Sequence, residues 1–271
     1  MGFVKEMKKH GFLLQYLIAK DFKIKYRRSV FGIAWSVLNP LFMMLIVSTV
    51  FSFVLPRGSL DNYSYPVYVI IGQTMFNFLS EATNTAMQSV LASASLIKKV
   101  YIPKYIFPLE KVSFSFVNFA VSLIAVAIVG LIAGIGISWH IVLLPLLLVV
   151  FYFFCLGIGL ILSVLAVFFR DIIHIYGILL TAWMYLTPVF YTIDLITEPM
   201  GDTATGWKFL FLKCFEYNPM YQYIEVFRSF VLYHQMPSTA SILLCVGYAA
   251  VVMLIGILAF AKKQHKFILH I

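Results

Sequence analysis

Between Arg28 and Arg57 the chain carries no charged residue, a stretch long enough to cross a bilayer as a helix. Immediately before it, Lys20, Lys23, Lys25, Arg27 and Arg28 crowd into nine residues. A cationic segment running without a break into an apolar one sets the class and orients the chain, because Lys and Arg flanking a span stay in the cytoplasm. With 62% hydrophobic and 11% charged residues over 271 positions, a soluble globule would leave large apolar areas facing water. The expected fold is an all-α membrane protein. The net charge of +9 does not point to nucleic acid, since the basic residues sit in short loops between apolar runs rather than on one face. The opening residues MGFVKEMKKH lack a signal-peptide layout, so no cleavage is expected. Cys155, Cys214 and Cys245 are odd in number and scattered, which fits neither a disulfide framework nor a zinc site.

The apolar periodicity divides the chain into one membrane domain, 1–271, without internal repeats. In residues 1–30, Phe12 to Lys25 reads as a helix lying in the interface, with Leu13, Leu17 and Ile24 on one face and Lys20 intruding on it. Residues 31–192 hold five spans, expected at about Phe31–Leu55, Val67–Val90, Val112–Ile137, Ile141–Phe169 and Ile172–Tyr191. Pro40 should kink the first span or mark its start. The second is rich in polar residues, Gln73, Asn77, Glu81, Asn84 and Gln88 among them, so it should pack against other helices or another subunit. Ser138 to His140 make a tight hairpin of the third and fourth, and Gly130, Gly134, Gly136, Gly157 and Gly159 would permit close backbone approach. Residues 193–238 contain two apolar pieces, Trp207–Phe215 and Met220–Leu232, too short to span and so interfacial or re-entrant. Asn218 and Pro219 supply a cap and first-turn proline for the second. Residues 239–271 hold the sixth span, about Ser241–Ala261, and a basic tail. In this layout sixteen of the twenty Lys and Arg fall on the side of the termini, placing both termini in the cytoplasm.

No catalytic or metal-ligating constellation is present: there is no P-loop, HExxH, GxSxG or paired cysteine motif. No cofactor is expected on this chain. If the chain moves something uphill, the energy must come from an ion gradient or a partner. Only Glu81 sits well inside a span, which weakens the gradient option. Glu81 could line a conduit, pair with a neighbouring helix or lie near the inner interface. The segment Ser93 to Pro108, with Ser95, Lys98, Lys99, Tyr101, Pro103 and Lys104, suits docking into a groove on another protein, although its lysines equally satisfy the positive-inside rule.

Taken in order and spacing, DFKIKYRRSVFGIAWSVLNPL, ASLIKKVYIPKYIFPL, FFRDI, LTPVFY and YNPMYQYIEVFR closely resemble the membrane subunit of type-2 ABC exporters of lipid-linked polysaccharides, including O-antigen, capsule and wall teichoic acid permeases. The resemblance covers nearly the whole chain. It implies a homodimer of six-span subunits in the bacterial inner membrane, with two separate cytoplasmic ATPase subunits that hold ATP and Mg. It also implies a coupling helix between spans two and three, with Ser95, Lys98, Lys99, Tyr101, Pro103 and Lys104, and ATPase contacts from the N-terminal helix ending at Arg27 and Arg28. The first and fifth spans would line a channel, short re-entrant helices would stand near its outer mouth, and the cargo would be an undecaprenyl-linked glycan or polyol-phosphate polymer.

Two stripes of aromatics suit such a channel: Tyr176, Trp183 and Phe190 recur every seven residues in span five, and Phe31, Trp35 and Phe42 follow helical spacing in span one. They are equally the packing residues of a chain with 26 Phe and 16 Tyr. The expected function is the permease of an ATP-driven polysaccharide or teichoic acid exporter. The alternatives are an exporter of a small amphiphile or lipid, a proton-coupled flippase dependent on Glu81, and a membrane-embedded glycan-modifying enzyme.

Overall fold

A computed structural model describes residues 2–27, 29–54, 64–100, 102–136, 138–193 and 213–269, the side chains of 2–10 and 52–54 excepted. Among them the regular structure is entirely helical: α1 (Gly2–Tyr26), α2 (Trp35–Val54), α3 (Tyr65–Ala92), α4 (Ala94–Lys99), α5 (Ile106–Ile132), α6 (Leu144–Phe168), α7 (Ile172–Tyr185), α8 (Pro219–Val231) and α9 (Thr239–Lys263). Four described segments are long and apolar enough to cross a membrane: Gly32–Phe51, Ile106–Ile132, Trp139–Phe168 and Thr239–Leu269. The expected second and fifth spans are not among these. α3 has the length but is too polar, and α7 is apolar but only 14 residues long.

The polarity of α3 is explained by its place. It runs through the middle of the bundle against α5 and α6, and every residue from Val67 to Phe76 is buried. Its hydroxyls bond within the protein: Thr83 donates to the Leu79 carbonyl, Ser89 to that of Ala86, and Tyr176 of α7 donates to Thr83 Oγ1. A helix shielded by other helices escapes the cost of presenting polar groups to hydrocarbon.

α6 and α9 meet at two glycines. A Cβ at Gly157 would stand 2.7 Å from the backbone of Val252 and Met253, and one at Gly256 would stand 2.6 Å from the Gly157 carbonyl oxygen. Gly159 gives the same closeness against α3, 2.8 Å from the Ala86 Cβ. Gly130, Gly134 and Gly136 do not serve in this way, since nothing lies within 4 Å of a Cβ at any of them. Gly134 instead ends α5 in a left-handed turn, φ +71°, with Ile135 N–H donating to the Gly130 carbonyl and Gly134 N–H to that of Leu131.

Three local expectations are revised. α1 starts at Gly2 rather than Phe12, and its bonded face carries Asp21 and Phe22, whose ring meets Phe114 edge-on at 4.6 Å, while Ile24 is 61% exposed. α2 starts at Trp35 and contains Pro40, which therefore does not mark the start of the span. α7 stops at Tyr185 rather than Tyr191, because Pro188 lacks an N–H and restricts the residue before it. The chain beyond folds back onto α3, where the Tyr65 hydroxyl donates to the Phe190 carbonyl and the Tyr68 hydroxyl to that of Tyr191. Pro219 opens α8, and Asn218 caps it by accepting from Met220 N–H at 3.0 Å. Of the other expected short helix, 207–212 lie outside the described residues.

Candidate functional site

The elbow between α3 and α5 holds most of the residues anticipated for coupling. α4 is pinned by one buried residue, Ile97, and turns Ser95, Lys98 and Lys99 outward. Pro103 is half-buried beyond it. Lys104 does not share this outer face: its ammonium donates to the Gln264 carbonyl at 2.6 Å and lies over the Phe267 ring, and burial pulls its pKa down. Arg27 is exposed at the end of α1, and Arg28 and Tyr101 lie outside the described residues. Arg170 reaches the same end of the bundle, where a groove of about 430 Å³ runs between it, Ile173 and Gln88 to Ala94.

The two aromatic sets separate. Phe31, which precedes α2, and Trp35 and Phe42 on it are 59%, 43% and 50% exposed, with Phe31 and Trp35 edge-to-face at 5.6 Å. Tyr176, Trp183 and Phe190 do not form a helical stripe, because α7 ends before Phe190. Tyr176 is buried against Thr83, the Trp183 indole donates to Asn218 Oδ1 at 2.8 Å, and Phe190 stacks on Phe51. The large apolar residues that α7 turns outward are Ile175, Ile178, Leu179 and Tyr185.

Glu81 lies in an open cleft of about 440 Å³ bounded by the end of α1, the first half of α2, α3 and α5. Lys25 donates to Glu81 Oε1 at 2.7 Å, and Asn118 Nδ2 donates to Oε2 at 3.2 Å. Ser36 donates to Asn118 Oδ1, and the Tyr26 hydroxyl lies 2.6 Å from Ser36 Oγ and 2.8 Å from Asn118 Oδ1, donating to one of them. The carboxylate is therefore compensated by a cation from another helix. Sequence reasoning found Glu81 but not Asn118, Ser36 or Tyr26; a lone amide within the apolar run of α5 was the available signal. Arg228, one of the four cations counted on the side away from the termini, is fully buried. Among the described residues no three His, Cys, Asp or Glu side chains gather to hold a metal ion.

A family model described as ABC-2 type transporter matches residues 13–232. The chain is 26% identical over 264 residues to an O-antigen export system permease protein RfbA of Myxococcus xanthus, covering 97% of each protein. It is 28% identical over 268 residues to an O-antigen export system permease protein RfbA of Klebsiella pneumoniae, covering 95% of each. With the match spanning most of the helical bundle, the chain belongs to the ABC-2 type transporter family.

Proposed function

We propose that this chain is the permease subunit of an ATP-driven exporter that carries a lipid-linked polysaccharide from the cytoplasmic to the outer face of the bacterial inner membrane. The observation that carries this reading is the near full-length similarity to permeases of O-antigen export systems. In the assembly two copies pair, and two separate ABC ATPase subunits hold ATP and Mg. Six helices span the bilayer, α2, α3, α5, α6, α7 and α9; the polar α3 is tolerated because the bundle shields it, and the 14-residue α7 because the chain after it is bonded to α3 rather than left facing lipid. The surplus of Lys and Arg at the termini and the α3–α5 elbow puts these on the cytoplasmic side.

In this reading α4 is the element on which the ATPase acts. It is short, held through Ile97, and presents Ser95, Lys98 and Lys99 to a partner beside Arg170. The exposed faces of α2 and α7 supply the conduit, with Phe31, Trp35 and Phe42 along the first. An aromatic track suits an undecaprenyl-linked polymer, since sugar rings have apolar faces that stack while their hydroxyls stay wet.

The test is reconstitution of the permease with its ATPase in proteoliposomes. Lys98→Glu combined with Lys99→Glu is expected to leave membrane insertion intact and return ATP hydrolysis to the rate of the ATPase alone. Stimulation equal to that of the unaltered permease would remove the coupling role.

A further inference from the structure

The last described turn of the chain is bonded to the elbow between α3 and α5. After α9, residues Gln264–Leu269 form a 3-10 helix whose buried residue is Phe267. The Phe267 ring has no exposure to solvent and meets Phe260 at 5.3 Å and Phe168 at 6.1 Å, edge-on in both cases. The Lys104 ammonium joins this cluster from a segment 160 residues away, donating to the Gln264 carbonyl at 2.6 Å and standing 5.8 Å from the centre of the Phe267 ring. Gln264 is where α9 ends, and the helix dipole favours a cation there. A basic tail needs no fixed structure to satisfy the charge asymmetry of a membrane chain. This one is anchored.

What it anchors is otherwise loosely attached. α4 has six residues and buries Ile97 alone, and beyond it Val100 is 50% exposed while Ile102 to Tyr105 are half-buried and outside any helix. Lys104 ties that segment to the end of α9, and Phe168 stands two residues before Arg170. Phe267 therefore joins the two segments that carry the exposed cations Lys98, Lys99 and Arg170. An element held by one buried side chain opens locally at little cost, and a second tie is what keeps it in register with the bundle.

We propose that the turn 264–269 is a strap that fixes the α4 elbow in its working position, with Lys104 and Phe267 as positioning residues that act on the ATPase through α4 without touching it. The inference rests on the reading of α4 as the element on which the ATPase acts. It reassigns Lys104, which the family resemblance groups with the coupling residues, from contact to support: its ammonium is bonded within the chain, whereas Lys98 and Lys99 face outward.

The experiment titrates the ATPase subunit against the permease in proteoliposomes and records both the maximal stimulation of ATP hydrolysis and the ATPase concentration that gives half of it. Lys104→Met, which keeps the stem but removes the ammonium, and Phe267→Ala should each lower maximal stimulation by about fivefold. Half-stimulation should stay within about twofold of the unaltered permease, because Lys98 and Lys99 still face the partner. Lys104→Arg, able to donate to the same carbonyl and lie over the same ring, should restore most of the loss. Combining Lys104→Met with Phe267→Ala should lose no more than the larger single effect, since both cut one strap. Wild-type stimulation in Lys104→Met overturns the strap. So does a Lys104→Met loss that falls on the half-stimulating concentration while Phe267→Ala is silent, the mark of a direct contact. If Phe267→Ala fails to insert, the half-buried Lys104→Met and its arginine counterpart decide alone. If the unaltered permease stimulates no ATPase, the coupling reading itself falls. The strap is then decided by hydrogen exchange of residues 94–104 in the permease alone: faster exchange in Lys104→Met retains it, and equal exchange removes it.

Discussion

The guanidinium of Arg228 lies 3.3 Å from the centre of the Tyr68 ring, stacked on it, in a position with no exposure to solvent. Its Nη1 donates to the Pro188 carbonyl at 3.0 Å, and Nη2 lies 3.2 Å and 3.3 Å from the carbonyls of Tyr68 and Val189. One side chain thus joins α8, α3 and the turn that ends α7. The turn's carbonyls are left over because Pro188 breaks the helix, and a planar fork of donors answers them. Gly72 leaves room for it, since a Cβ there would lie 2.9 Å from Nη2.

Arg228→Ala should therefore destabilise the folded permease by about 3 kcal/mol or more, because it orphans buried carbonyls that bond to a charged donor. Arg228→Lys should recover little, as an ammonium cannot stack and fork together. Thermal unfolding in detergent, followed by tryptophan fluorescence, measures both. A lysine variant as stable as the wild type contradicts the fork geometry.

Glycine substitutions should sort by position. Gly256→Ala forces α6 and α9 apart, with an expected cost of about 1–3 kcal/mol, like other overpacked cores. Gly130→Ala meets nothing within 4 Å and should stabilise α5 by roughly 0.5–1 kcal/mol through the lower backbone entropy of alanine. Equal melting temperatures for the two variants would refute the close crossing.

Asn218 uses its whole amide. Oδ1 accepts from Met220 N–H and the Trp183 indole, while Nδ2 donates to the Leu186 carbonyl and Thr187 Oγ1. Asn218→Asp keeps the cap of α8 but sets a carboxylate oxygen against the Leu186 carbonyl. It should cost at least as much as the about 0.5–2 kcal/mol of a lost cap, and more than Asn218→Ser. The order of their unfolding midpoints decides the point.

The docking of α1 should depend on pH. Burial pushes the Asp21 carboxyl up, but its bond from the Lys111 ammonium outweighs this, aided by a hydrogen bond with Glu110 and the charge of Lys20, and holds it below the ordinary 3.8. A carboxylate favoured in the folded state stabilises it above its unfolded value and loses that contribution as pH falls below it. Hydrogen exchange of residues 11–26 should rise as pH drops below about 3.8 once corrected for intrinsic rates, and Asp21→Asn should show the same rise at neutral pH. Uniform protection across that range in both proteins would sever α1 docking from this pair.

Apolar run lengths, charge asymmetry and capping residues act locally, so they could be read along the chain: the helical class followed from the apolar runs, and the start of α8 from Asn218 and Pro219. Periodicity failed where a distant element intervened. Tyr176, Trp183 and Phe190 keep a seven-residue rhythm, yet Pro188 ends their helix and each ring is claimed by α2, α3 or the start of α8. Glu81 and Arg228 carry the same lesson for charge. Whether an ion on a bundle helix is stranded, paired or clamped depends on which carbonyls, amides and opposite charges the packing brings within about 3 Å of it, and those partners, Lys25 and Asn118 in one case and Tyr68, Pro188 and Val189 in the other, are far off in sequence and meet only when the bundle closes.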